Sequence, residues 1–183
     1  VSQEQVQKLE ESVSKEVDEA EKFALSSPYP PIESLLDGLY TDIYVDSKTS
    51  IKNLAEAKKN EVKLRKIRYV QALNEALREE MLRDESVFLM GEDIAIYGGA
   101  YQVTRGLYSE FGAERVRDTP ISETAIAGAA AGAAMTGTRP VAEIMYIDFS
   151  TIATDQIVNI AAKNRFMFGG KSTVPVVYRT QGG

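Results

Sequence analysis

With no histidine and no cysteine in 183 residues, any general base, nucleophile or metal site in this chain must come from carboxylates, lysines, tyrosines or a borrowed cofactor. One carboxylate stands out by its setting. In DTPISETAIAGAAAGAAMTGTRP, Asp118 to Pro140, Glu123 opens a segment built almost wholly of alanine and glycine, with no further charge until Arg139. A carboxylate in the first turn of a helix gains about 0.3–1 kcal/mol from the helix dipole, which is one reason for it to be there. A chemical reason also exists. Burial raises a carboxyl pKa while a helix N-terminus lowers it, and a group balanced in this way can share a proton with a basic ring nitrogen of a ligand.

Two further places could carry chemistry. Glu92 and Asp93 follow the apolar run VFLM, on the side where open parallel sheets bind ligands; loop solvation, helix capping and a metal pair are the alternatives there. Tyr146 and Phe149 in IMYIDF offer aromatic surface near the end of an expected strand, for core packing or for stacking on a ligand. GAAAGAAMTG does not follow a strand in the G-x-G-x-x-G pattern, so it is a poor dinucleotide fingerprint. Gly128 and Gly132 inside a helix each cost about 1 kcal/mol relative to alanine. Close approach of another helix, from a partner subunit, is the expected reason.

The elements that must position these residues follow from pattern. Val6, Leu9, Val13, Val17, Ala20 and Ala24 recur at helical spacing behind a capping box at Ser2 and Gln5, and Pro28, Pro30 and Pro31 stop the helix. Such a lone stripe is expected to dock on another surface. Residues 1–45 hold ten acids against three bases, and residues 46–66 three against seven, which marks the second stretch as a basic linker. From Ile67 the chain alternates. A helix is expected through Val70, Leu73, Leu77 and Met81, then strand VFLM, a glycine loop at YGGAYQ, a short helix VTRGLYSEFG, the Glu123 helix with Ser122 as N-cap, strand PVAEIMYIDF, a helix from Ser150 to Gly170 and strand VPVVYR. The fold class is therefore α/β, a parallel sheet of three or four strands flanked by helices, preceded by a separate N-terminal helix. The sheet is expected to be incomplete at the closing QGG. A net charge of −6 leaves no electrostatic footprint for nucleic acid. No apolar run reaches the roughly 18–20 residues of a membrane span, so a soluble, cytoplasmic protein is expected.

These residues carry a resemblance. VFLMGEDIAIYGGAYQVTRGLYSEFGAERVRDTPISETAIAGAAAGAAMTGTRPVAEIMYIDF, then DQIVNIAAK, FMFGG and VPVVYR, resemble the N-terminal half of the beta subunit of the thiamine-diphosphate-dependent 2-oxoacid dehydrogenases, the decarboxylating component of the pyruvate and branched-chain complexes. The leader EVDEAEKFALSSPYPPIESLLDGLY is similar to the C-terminal end of the alpha subunit. The resemblance thus implies the junction of a fused alpha–beta chain, with residues 1–45 alpha-like, 46–66 linker and 67–183 a partial pyrimidine-binding domain of the thiamine-diphosphate-binding fold.

For the site, the resemblance implies that Glu123 hydrogen-bonds the cofactor's pyrimidine nitrogen and so promotes activation of the thiazolium carbon. Phe149 is implied to stack on the pyrimidine, with Ile121 and Met145 lining its pocket. The Val176 carbonyl falls at a potassium position. Diphosphate and magnesium belong to an alpha-type partner domain, whose motif is absent here. A second beta-type domain and a lipoyl acyltransferase complete the implied partners, a 2-oxoacid is the substrate, and the chain alone is expected to be inactive. Ile152 stands where pyruvate-type members often have glutamine, which leaves pyruvate, branched-chain 2-oxoacids and acetoin open. A non-catalytic docking module is the alternative from another class.

Overall fold

A computed structural model describes residues 2–37 and 65–182, in two compact units divided between Leu36 and Asp37. Most of the expected basic linker lies outside the described residues. In the first unit, helix α1 (Gln3–Ser26) starts on the anticipated capping box, with the Gln5 N–H on Ser2 Oγ at 3.2 Å and the Ser2 N–H on Gln5 Oε1 at 2.8 Å. It ends at Ser27, whose extended backbone suits the residue before a proline. A 3-10 turn, Ile32–Leu36, follows. No residue of α1 is buried, and Val6, Leu9, Val13 and Val17 are 42–65% exposed, as expected of an amphipathic stripe with nothing to cover it within its own unit.

The second unit contains α2 (Tyr69–Arg83), β1 (Val87–Gly91), α3 (Leu107–Phe111), β2 (Val116–Asp118), α4 (Glu123–Met135), β3 (Arg139–Ile144), α5 (Lys163–Met167) and β4 (Val177–Thr180). The strands form one parallel sheet in the order β2-β1-β3-β4. Alternation along β1 sends Val87 and Leu89 to one face, where they pack with Met81 of α2 and Leu107 of α3. Met90 faces the other way and joins Ile126 and Ala130 of α4 and Ala142 of β3. Ala127, Ile144, Ala153 and Tyr178 extend that second layer, and the Tyr178 hydroxyl donates to the Ala127 carbonyl at 3.0 Å. With helices on both faces of a parallel sheet, the expected α/β architecture is present. Among the described residues, no helix is long and apolar enough to cross a membrane.

Several elements differ from the sequence reading. β2 was not anticipated, because its residues VRD carry one apolar side chain; Val116 nevertheless sits wholly buried beside Leu89. The third strand stops at Ile144 instead of running to Phe149, and Phe149 lies on a 3-10 helix, Ile147–Thr151. The Ile147 N–H is taken by the Gln181 carbonyl at 2.7 Å. The Ser150 and Thr151 hydroxyls donate to the carbonyls of Ile147 and Asp148, a local competition that favours turns over a ladder. The expected helix from Ser150 is also divided, with a π-wound stretch at Gln156–Ala162 before α5. β4 begins at Val177 because Pro175 has no N–H to give and the Val176 N–H turns back to Val174.

The two helix glycines have different surroundings. A Cβ at Gly128 would lie 3.2 Å from Gln156 Cγ, so the segment that approaches it here is this chain's own 156–162 stretch, where a partner subunit's helix was the expectation. Gly132 has open space beside it. Gly91, at the end of β1, is closely packed: a Cβ there would meet Glu143 Cβ and the Glu143 carbonyl, both at 2.9 Å. Gly91→Ala is therefore expected to destabilise the domain by about 1–3 kcal/mol, measured as a lower urea midpoint with an unchanged slope; an unshifted midpoint would refute the packing assignment.

Candidate functional site

Chain order and strand order together create a crevice. From β1 the chain crosses to β2 on one side of it, using α3 on the first face, and then to β3 on the other side, using α4 on the second face. The connections therefore part company at the C-terminal ends of β1 and β3, the switch point where open parallel sheets bind ligands. Three carboxylates gather there. Glu92 follows directly on β1, Glu123 opens α4 and Glu143 is on β3, with exposures of 6%, 8% and 4%.

The backbone that delivers them is fixed by hydrogen bonds. The Thr119 N–H donates to the Gly91 carbonyl at 2.9 Å, and Asp118 Oδ1 accepts the Ala95 N–H at 2.7 Å, which ties the end of β2 to the loop after β1. That loop closes on itself through the Gly99 N–H to the Asp93 carbonyl at 2.8 Å and through Gln102 Nε2 to the carbonyls of Tyr97 and Gly99, both at 3.0 Å. Asn74 of α2 holds its far side, donating to Val103 at 2.6 Å and Arg105 at 3.1 Å. Asp93 and Gln102 adopt left-handed conformations at φ 55° and 60°, an uncommon state for residues with a Cβ.

The Glu92–Asp93 pair does not act as a unit. Glu92 is buried, whereas Asp93 at its left-handed turn is exposed, and among the described residues no group of three or more carboxylates could hold a metal ion. Burial, and then the Glu123 carboxylate, push the Glu92 carboxyl above the usual carboxylate range; a hydrogen bond from the Ser122 N–H opposes this, while Asp93 and Glu143 add to it. Glu92 Oε1 is buried with no hydrogen-bond partner among the described residues. Ser122 occupies the N-cap position of α4 but its side chain does not cap; its hydroxyl donates to the Pro120 carbonyl at 3.1 Å, leaving its N–H for Glu92.

The expected apolar residues lie around the same helix end. Ile121 is 82% exposed two residues before Glu123, and Ile152 is 58% exposed. The Ile152 carbonyl accepts the Thr124 hydroxyl at 3.0 Å, which fastens the 147–151 turn to the first turn of α4. Phe149 is 43% exposed on that turn, its ring edge-on to Tyr146 at 6.3 Å. Met145 is half-buried immediately after β3. Val176 is not brought to the crevice: it precedes β4 at the strand's opposite end and packs on the Ile126–Ala130 layer. The sequence reading missed Glu143 and Arg179, which form a buried ion pair across β3 and β4. A signal was present: Glu143 interrupts the apolar run of RPVAEI and Arg179 follows the apolar run VPVVY.

A four-stranded parallel sheet with helices on both faces and carboxylates at the switch point defines an open α/β domain. Residues 65–183 match the transketolase pyrimidine-binding domain, and the chain belongs to that family. The chain is 52% identical over 112 residues to the mitochondrial pyruvate dehydrogenase E1 component subunit beta of Homo sapiens, covering 61% of this chain and 31% of the relative. To the pyruvate dehydrogenase E1 component subunit beta of Rhizobium meliloti it is 53% identical over 113 residues, covering 62% and 25%. The Dictyostelium discoideum mitochondrial subunit is 50% identical over 112 residues, covering 61% and 32%. The chain thus spans about a third of these relatives' length or less.

The raised Glu92 carboxyl has a consequence for stability. A carboxyl whose folded value lies above its unfolded one stabilises the fold fully in acid, and that contribution is lost as pH rises from the ordinary carboxylate range through the folded value. Glu92→Gln is therefore expected to flatten the loss. In thermal melts between about pH 4 and pH 8, the variant should gain on the unsubstituted chain as pH rises; parallel curves would contradict the assignment.

Proposed function

We propose that this chain supplies the pyrimidine-binding wall of a thiamine-diphosphate-dependent 2-oxoacid dehydrogenase, with pyruvate as the substrate that the names of its relatives favour. The observation that carries this reading is the placement of Glu123: buried, at the N-terminus of α4, at the switch point of a parallel sheet, beside a second buried carboxyl whose Oε1 has no partner among the described residues. A flat, partly basic heterocycle is the kind of group such a place suits. Its ring nitrogen would meet Glu123, and its face would lie against the exposed apolar side chains of Phe149, Ile121 and Ile152, with Met145 behind them.

In this reading each residue has a defined task. Glu123 holds a proton at the ring nitrogen and so sets the tautomer of the bound ring. Phe149 orients the ring by stacking, while Ile121 and Met145 exclude water, which strengthens the Glu123 hydrogen bond. When bound, thiamine diphosphate supplies the nucleophilic carbon and electron sink that decarboxylation of a 2-oxoacid requires. Diphosphate and magnesium are assigned to an alpha-subunit-type domain, for which residues 1–45 would be the C-terminal end and residues 46–66 the connection. The disulfide of a lipoyl arm on an acyltransferase would be the acceptor, its S–S bond taking up the two electrons as one of its sulfurs takes the acyl group. Ile152, without a polar end, also keeps branched-chain 2-oxoacids and acetoin as substrates to be compared.

The test is Glu123→Gln in the assembled enzyme. Turnover of pyruvate with saturating thiamine diphosphate is expected to fall by about 10²–10⁴-fold with circular dichroism and melting temperature unchanged. Near-normal turnover would refute the role of Glu123. If thiamine diphosphate affects neither the activity nor the stability of the unsubstituted protein, a non-catalytic docking module is the correct reading.

A further inference from the structure

We propose that the buried Glu143–Arg179 ion pair is the positioning element of the carboxyl site, supporting the 92–106 loop from beneath and neutralising the third carboxylate at the crevice. The inference rests on the functional reading above. Glu143 of β3 and Arg179 of β4 are direct partners in the parallel register, and the guanidinium meets Glu143 Oε2 with 14% of the arginine side chain and 5% of the glutamate side chain exposed. On the other side of β3, Gly91 is the last residue of β1, and its missing side chain leaves room for Glu143 Cβ. Above the pair, a Cβ at Gly99 would lie 3.6 Å and 3.9 Å from the two Glu143 carboxylate oxygens and 3.4 Å from Thr104 Oγ1, which itself donates to the Ile94 carbonyl at 2.7 Å. The glycine turn therefore rests on the Glu143 carboxylate, and the loop it closes begins at Glu92.

Stability alone does not call for such a pair. Desolvation of two charges offsets most of their attraction, and well-packed apolar residues of similar volume hold strands together as well or better. The charges do matter to Glu92. It is faced by Glu123 and the Ser122 N–H from α4, by Asp93 from its own loop and by Glu143 from β3, and Arg179 on β4 is the cation paired with that last carboxylate. Without Arg179, Glu143 would present an uncompensated negative charge to the two carboxyls of the crevice.

The test uses the assembled enzyme with Arg179→Met, Arg179→Lys and the double variant Glu143→Gln/Arg179→Met. Arg179→Met is expected to move the acid limb of the kcat/KM profile to higher pH by about half a unit or more. In the absence of cofactor it should also speed amide exchange across residues 92–106 by at least about tenfold. Arg179→Lys keeps the charge and loses the planar fork, so loop exchange should rise while the pH profile stays in place. The double variant should return the profile to its original position with exchange still fast. If Arg179→Met fails to fold, the other two variants separate the charge from the support by the same readouts. Lower melting temperatures with an unmoved profile and unmoved loop exchange would overturn the proposal, leaving the pair a structural one. Absence of thiamine-diphosphate-dependent turnover in the unsubstituted enzyme would instead overturn the functional reading, and this inference with it.

Discussion

The close contact between α4 and the sheet governs the rest of the domain. Ala127, Ala130 and Ala131 have no exposed surface at all, and Ile126 has 1%, so the helix lies against β1 and β3 at the short distance that methyl side chains allow. Because the helix is held so near, its first turn cannot avoid the C-terminal ends of those strands. Glu123 is delivered to the switch point by the geometry of the layer, without any dedicated loop. Larger side chains along that face would lift the helix and carry Glu123 away from Glu92, whatever residue stood at position 123.

That arrangement concentrates negative charge where little water reaches. Burial of three carboxylates near one strand end is unfavourable unless protons, hydrogen bonds or cations compensate. The structure uses all three kinds of compensation. Glu92 is pushed toward its protonated form, the Ser122 N–H gives a hydrogen bond to the same carboxyl, and Arg179 neutralises Glu143. The strained turns at Asp93 and Gln102 belong to the same assembly, since the loop must leave β1 sharply for Glu92 to stay inside while Asp93 turns out to solvent.

The rim of the site has the opposite character. Ile121, Phe149 and Ile152 are large apolar side chains left substantially exposed. Exposed apolar surface beside a buried carboxyl is the surface that the proposed function assigns to a bound ring. It agrees with membership of a family whose pyrimidine-binding domain is only one part of much longer relatives.

The sequence by itself determined the layered α/β class and the isolation of Glu123 at the mouth of an apolar helix. Alternating helical and strand periods specify a parallel sheet, and an alanine-glycine helix with one carboxylate at its mouth is legible because both the periodicity and the isolated charge are local features. Ser122 is the N-cap that the spacing predicts, but spacing does not show that its side chain leaves the helix uncapped. β2 was invisible because a three-residue strand with one apolar side chain has no period to detect. The place of Phe149 on a turn, the separation of Glu92 from Asp93 and the Glu143–Arg179 pair were decided only by tertiary structure. Each depends on groups distant in sequence meeting at strand ends, where the cost of burying a charge or an N–H is settled by whichever partner the fold brings within reach.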